Sequence, residues 1–423
     1  MKGTSEGLDL LGRAKALLCV SVDPWLPPQG GQTTFARHLL SAFKTDLAVV
    51  STCAQRLPVR SWVARDFEGS RLAFFSLGVL SRMSGRKPLI PGRISVYFKA
   101  ARGMAEVHRS GIPNIFVDDP ELLLAASRYE WGSVCYNIAG VFNPAALSRY
   151  RAARPLAHVC QTVLVRAIRK LEPSVILAAG DGGLVESLRG IHQLENCRIE
   201  PLPTRVNLDR FYPEPRHVAR ERLALPAEST ILVAVGRLCW IKGWSLLLSA
   251  LRTLKRTAPR IMLLFVGDGE DRDKLLAEAQ QQGVSENIRI TGFVPPDTVR
   301  NFLNASDVYL VGSYSEGWSV AMLEALACGK PIVSTRVSGT RDMISIGANG
   351  YVVDGRDPDA YAAAVCRAMT LRDVEQISRG IAARYSMEGL ARDLRAKWPV
   401  LQERAPEAGD ESYKRPASAK ATE

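Results

Sequence analysis

Ser315-Glu316-Gly317-Trp318-Ser319-Val320-Ala321-Met322-Leu323-Glu324-Ala325-Leu326-Ala327-Cys328-Gly329-Lys330-Pro331 is the stretch on which the reading of this chain turns. It follows the apolar run Val308-Tyr309-Leu310-Val311, which suits a buried strand. Ala321 to Cys328 are strong helix formers, and Gly329 and Pro331 stop the helix. The order is strand, polar loop, helix, with the helix N-terminus facing the mouth of a sheet. Glu316 lies where the helix begins, and Glu324 lies further along it. A helix N-terminus carries partial positive charge and free N–H groups, so it can take a phosphate while flanking carboxylates accept hydrogen bonds from sugar hydroxyls. Taken alone, such a pair is more often a capping charge and a solvated helix residue. The rest of the C-terminal half changes that balance.

Around this helix, strands are expected at 230–235, 261–266, 288–291, 307–311 and 332–335, and helices at 243–255, 271–281, 297–303 and 318–328. Such alternation gives a doubly wound parallel sheet with ligands at the carboxyl ends of its strands. Arg237 and Lys242 fall between a strand and a helix, where both can reach a point above the sheet edge. With the helix dipole they could neutralise a diphosphate, although either alone reads as a surface charge. Toward the N-terminus, strands are expected at 16–22, 47–51, 115–117, 133–136 and 175–177. The first ends in a loop with Gly30-Gly31 before a helix at 32–43, where main-chain N–H groups can approach an anion. The Pro-rich segment 201–215 reads as a linker.

In this order and spacing the residues resemble the retaining glycosyltransferases of family 4, whose signature is two glutamates separated by seven residues. The resemblance runs from 230 to 364 through Val235-Gly236-Arg237, Lys242-Gly243, Val266-Gly267-Asp268-Gly269, Thr291-Gly292-Phe293-Val294, Glu316 with Glu324, and Gly329-Lys330-Pro331. It implies an α/β chain of the GT-B architecture, two Rossmann-like doubly wound domains facing a cleft. Residues 1–200 would be the acceptor-side domain, 201–215 the linker and 216–375 the nucleotide-sugar domain. Residues 376–401 would cross back to the first domain, and 402–423 would form a disordered tail.

The resemblance gives catalytic roles to Arg237, Lys242 and Glu316. It gives substrate-binding roles to Gly30, Gly31, Gly236, Gly267, Phe293, Val294, Gly317, Trp318, Ser319, Val320 and Glu324. In the family the first glutamate contacts the donor sugar, the second the ribose, and the Arg and Lys the diphosphate. It implies a UDP- or GDP-sugar donor, a glycan or lipid-linked acceptor, and a metal-independent hexosyltransferase with no cofactor. Surface polysaccharide or lipopolysaccharide synthesis is the expected setting. An epimerase on the same fold and a catalytically silent nucleotide-sugar-binding subunit stay open as alternatives. Trp318 and Ser319 stand where many members carry Phe and Gly, and Ser338-Gly339 stands where Gly-Gly is usual. For the histidine that many members place near the donor sugar, His108 is the candidate.

A net charge of +12 over 423 residues favours anionic partners. Nucleic acid is not expected, because no zinc-finger spacing, aromatic RNA-binding strand motif or basic heptad region is present. The eight cysteines are scattered, which suits reduced thiols of a cytoplasmic protein, and neither a signal peptide nor a spanning helix is expected. From 69 to 105 there is no acidic residue, and the apolar run 72–80 is read as a core helix or as an interfacial segment with basic flanks. The second reading docks the protein on the inner membrane leaflet. Asp118-Asp119 reads as a strand-end turn before Pro120 rather than a metal motif.

Overall fold

The computed structural model describes residues 3–402 apart from 28, 29, 56, 80–91, 141, 144–154, 156, 179 and 181. The tail expected from 402 thus lies, beyond its first residue, outside the described residues. In the first half the elements are α1 (Ser5–Leu11), β1 (Ala16–Val20), α2 (Gly31–Phe43), β2 (Leu47–Cys53), β3 (Trp62–Phe67), β4 (Ser70–Val79) and α3 (Gly92–His108). Then come β5 (Asn114–Val117), α4 (Pro120–Ala126), β6 (Ser133–Ile138), α5 (Ala157–Leu171), β7 (Val175–Ala178), α6 (Gly182–Arg189) and β8 (Ile199–Pro201). The second half contains α7 (Arg216–Arg222), β9 (Thr230–Val235), α8 (Trp244–Lys255), β10 (Ile261–Val266), α9 (Arg272–Gln281), β11 (Ile288–Ile290), α10 (Pro296–Ala305) and β12 (Val308–Val311). It continues with α11 (Val320–Ala327), β13 (Ile332–Thr335), α12 (Thr340–Met343), β14 (Gly350–Val353), α13 (Pro358–Ala368), α14 (Val374–Ala383) and α15 (Glu388–Lys397).

The first sheet runs β3-β4-β2-β1-β5-β6-β7-β8 and the second β11-β10-β9-β12-β13-β14. All neighbouring pairs are parallel except β3 with β4. Helices cover both faces, so the strands read as unbroken apolar runs: β1, Ala-Leu-Leu-Cys-Val, is buried at every position. Each sheet accordingly has two cores, one per face. After α14 the chain returns to the first half, where Leu390, Leu394, Trp398 and Leu401 are wholly buried in the core of β1 and α2. Each such side chain contributes about 1.5–3 kcal/mol.

One expectation fails here. The run 72–80 is neither a helix nor a lipid-facing segment: through Val79 it is β4, inside the first sheet, with Phe74 and Phe75 fully buried. A short uncharged run satisfies a buried strand as well as an amphipathic surface, and periodicity alone cannot separate them. The basic residues Arg82, Arg86 and Lys87 lie outside the described residues. Among the described residues no helix is long and apolar enough to cross a membrane.

Candidate functional site

The site is built at the carboxyl edge of the second sheet. Tyr361 fixes the end of β12, its hydroxyl accepting from the Val311 N–H at 3.1 Å and donating to the Val333 carbonyl at 2.8 Å. From there Ser313 to Ser319 cross the sheet edge as a loop, and Ser319 caps α11, its hydroxyl accepting from the Met322 N–H at 3.3 Å. Lys242 arrives from the short turn after β9 and donates to both oxygens of Glu316, at 2.7 and 2.9 Å. The Ser313 hydroxyl donates to the same carboxylate at 2.5 Å. Arg237, Lys242, Gly236, Glu316 and Ser319 line one small cleft of about 30 Å³. An ammonium has three donors, so Lys242 keeps one for an incoming oxygen.

Glycines set how closely the backbone pieces approach. A Cβ on Gly267 would stand 2.2 Å from the Gly236 carbonyl oxygen, so Gly267 underpins Gly236 rather than lining the cleft. Across the molecule, Gly317 meets Gly140, just beyond β6: a Cβ on Gly317 would lie 2.4 Å from the Gly140 Cα. The two halves are therefore in backbone contact at the site.

Glu324 does not join this cluster. It lines a separate cavity of about 430 Å³ between the two halves, with Thr34, Arg37 and His38 of α2, Arg210, and Val320. The expected convergence of both glutamates with both cations on one point is thus corrected: Glu316 meets Lys242 in the cleft that Arg237 also lines, and Glu324 faces the neighbouring cavity. Glu316 precedes the helix cap and its direction is set by the loop. Glu324 is set by the helix, one and a half turns in. Burial pushes the Glu324 carboxyl up to about 8, opposed only by the charge of Arg210. In the same cavity burial, then Arg37 and Arg210, push the His38 imidazole down to about 4.

Of the remaining expected residues, Gly30 is exposed ahead of α2, and a Cβ on Gly31 would lie 3.7 Å from the Val320 side chain, so this loop reaches the tip of α11. The Trp318 ring is buried in the core, edge-on to Tyr385 at 5.2 Å, leaving only its backbone near the cleft. Phe293 is exposed and Val294 half-buried, and both lie outside the two cavities. His108 is a correction: it bonds the Glu130 carbonyl at 2.9 Å and stacks on Tyr129, where the chain enters the amino end of β6, the edge opposite the site. Among the described residues no three His, Cys, Asp or Glu side chains form a metal-ligand group. Sequence reading missed Ser313, whose position three before Glu316 was a usable signal, and Gly140, which carries no local signal.

Residues 215–383 match the family described as glycosyl transferases group 1. That match falls on the second half of the chain and leaves the first outside it. The chain is 30% identical over 248 residues to a D-inositol 3-phosphate glycosyltransferase of Corynebacterium jeikeium, a match covering 55% of this chain and 58% of the relative. The chain spans about half the length of the curated relatives it matches. Among solved structures it resembles sucrose-phosphate synthase from Thermosynechococcus elongatus, with a TM-score of 0.76 at 18% identity, covering 91% of this chain and 98% of that one. It also resembles Anabaena Alr3699/HepE, solved in complex with UDP and glucose, with a TM-score of 0.65 at 14% identity, covering 90% and 98%. These likenesses give the fold: the two parallel sheets form a GT-B architecture.

Proposed function

We propose that this chain is a glycosyltransferase of group 1 that transfers a hexose from a nucleotide-sugar to a glycan or lipid-linked acceptor with retention of configuration. The observation that carries the reading is Lys242 bonded to both oxygens of Glu316 at the tip of α11, with Arg237 in the same cleft. Charge grows on the departing diphosphate as the bond from its oxygen to the anomeric carbon breaks. Fixed cations and the free N–H groups of α11 favour that state over the ground state. The acceptor oxygen bonds the anomeric carbon, and its proton passes to the departing phosphate. The donor's sugar end would meet Glu316 and its ribose Glu324, so one ligand would span the two cavities.

UDP-sugars are the first donors to try, since one of the similar structures is a complex with UDP and glucose. The names of the curated relatives put D-inositol 3-phosphate among the acceptors to test. Thermal-shift screening against UDP-, GDP- and ADP-sugars, followed by nucleotide release with and without acceptor, checks the reading. A stabilising donor whose nucleotide is released on addition of acceptor, with activity unchanged in excess chelator, supports metal-independent transfer. No donor binding and no release overturn it, and conversion of the donor without acceptor replaces it with epimerisation.

Contact with an anionic membrane on the cytoplasmic side, in the setting of surface polysaccharide or lipopolysaccharide synthesis, belongs to the same proposal. Its support is now α3, which exposes Ile94 and Phe98 four residues apart beside exposed Arg93 and Arg102. Vesicles containing phosphatidylglycerol should bind the protein at low salt and release it as salt rises. Equal binding to neutral vesicles, or none to either, removes the membrane part.

A further inference from the structure

At the carboxyl edge of the first sheet, four strands end in polar residues that the site above does not use. Thr52 lies next to the end of β2, Ser21 follows β1, Asp118 and Asp119 follow β5, and Asn137 lies near the end of β6. Asp118 is 3% exposed, Asp119 4% and Asn137 0%. β1 and β5 are the neighbouring strands from which the chain winds off in opposite directions. The cluster therefore sits at the topological switch point, where open α/β sheets form their ligand crevice.

Its two carboxyls are treated differently. Asp119 accepts from the Ser21 N–H at 2.6 Å, the Ser21 hydroxyl at 2.8 Å and the Gln32 amide at 2.6 Å. Asp118 accepts on one oxygen from the Asn137 amide, while its other oxygen and the Asn137 carbonyl oxygen are buried without a partner among the described residues. Burial, reinforced by the neighbouring Asp119, drives the Asp118 carboxyl well above the ordinary range; the donors around Asp119 oppose its own rise. Gln32 is the second residue of α2, directly after Gly30-Gly31, the loop that reaches Val320 at the tip of α11.

We propose that Asp119 is a positioning residue: through Ser21 and Gln32 its carboxylate fixes the Gly30-Gly31 loop against the tip of α11. The consequence for catalysis rests on the nucleotide-sugar reading; the mechanical link does not. An asparagine at 119 presents one acceptor and one amide group to three donors, so at least one contact becomes donor against donor. An asparagine at 118 keeps the acceptor that Asn137 uses.

Hydrogen–deuterium exchange on the ligand-free full chain tests this with D119N, Q32A and D118N. D119N and Q32A should speed exchange about tenfold in the segment 30–36, with β5 and α11 unchanged, and D118N should exchange like the wild type. With a donor that the wild type turns over, D119N and Q32A should lower kcat about tenfold and leave the donor KM within about twofold. A merely structural role would instead lower the melting temperature and loosen β5 as well. Wild-type exchange at 30–36 in both variants overturns the proposal, and if D119N does not fold, Q32A decides alone. If the wild type turns over no donor, the transferase reading fails while the exchange result still stands or falls by itself.

Discussion

Glu316 and Glu324 belong to one loop and helix, yet they occupy opposite electrostatic settings. Glu316 is held by Lys242 and Ser313 at the helix mouth, where free N–H groups and cations gather. Glu324 lies where the N–H groups of α11 are spent on the helix itself, and among the described residues no ammonium or guanidinium is bonded to it. Burial then dominates and keeps its proton through neutral pH. Residue type therefore does not fix the role; distance from the helix end does. A charged Glu316 can organise cations and accept hydrogen bonds, whereas a neutral Glu324 can also donate one to a hydroxyl.

The contrast is broken most severely at Lys242. Lys242→Ala removes a cation from the leaving group and strands the Glu316 carboxylate, so turnover should fall by about 10² to 10³ at unchanged fold. Steady-state kinetics with the best donor from the screen checks this. Unchanged turnover would mean that the ion pair only shapes the loop.

How far the sequence carried can be seen in the same two halves. β9, β10 and β12 end where their apolar runs end, because each is a short Val/Ile/Leu-rich segment bounded by polar or glycine residues. The loops that hold Arg237, Lys242 and Glu316 follow from those strands, so this cluster was legible. The direction of Glu324 relative to Glu316 was not, since spacing gives distance along a helix axis but not the path of the loop before its cap. In the first half, β3 and β4 were missed because their pairing is decided by neighbours distant in sequence, and the Gly140–Gly317 contact joins residues with no local signature. Asp118-Asp119 was legible as a strand-end turn, but burial and its bond to Gln32 were not.

A second variant tests whether the Glu316 side of the comparison depends on contact between the halves. Gly317→Ala places a methyl group against the Gly140 backbone and the Ala139 carbonyl oxygen, neither of which can yield as a flexible side chain would. The two halves should be held slightly apart, with a larger radius of gyration by solution scattering and turnover lowered about tenfold through misplacement of the reacting groups. The melting temperature should change little, because each sheet keeps its own cores. An unchanged radius with unchanged turnover would make the close approach incidental.

The smallest effect is expected at Glu324, and it bears most directly on the comparison. The folded carboxyl titrates near 8 against an ordinary value of 4.5. Between those values the folded chain holds a proton that the unfolded chain has lost, so stability falls as pH rises through the window and levels off above it. Glu324→Gln is neutral at every pH and escapes that fall. Its melting temperature should match the wild type near pH 4 and exceed it by roughly 2–4 °C near pH 9, since the half-buried carboxyl contributes on the order of 1 kcal/mol in a chain of this size. A difference that does not change with pH would place Glu324 among the ordinary ionised glutamates. The distinction between the two ends of this helix motif would then rest on the Lys242 pair alone.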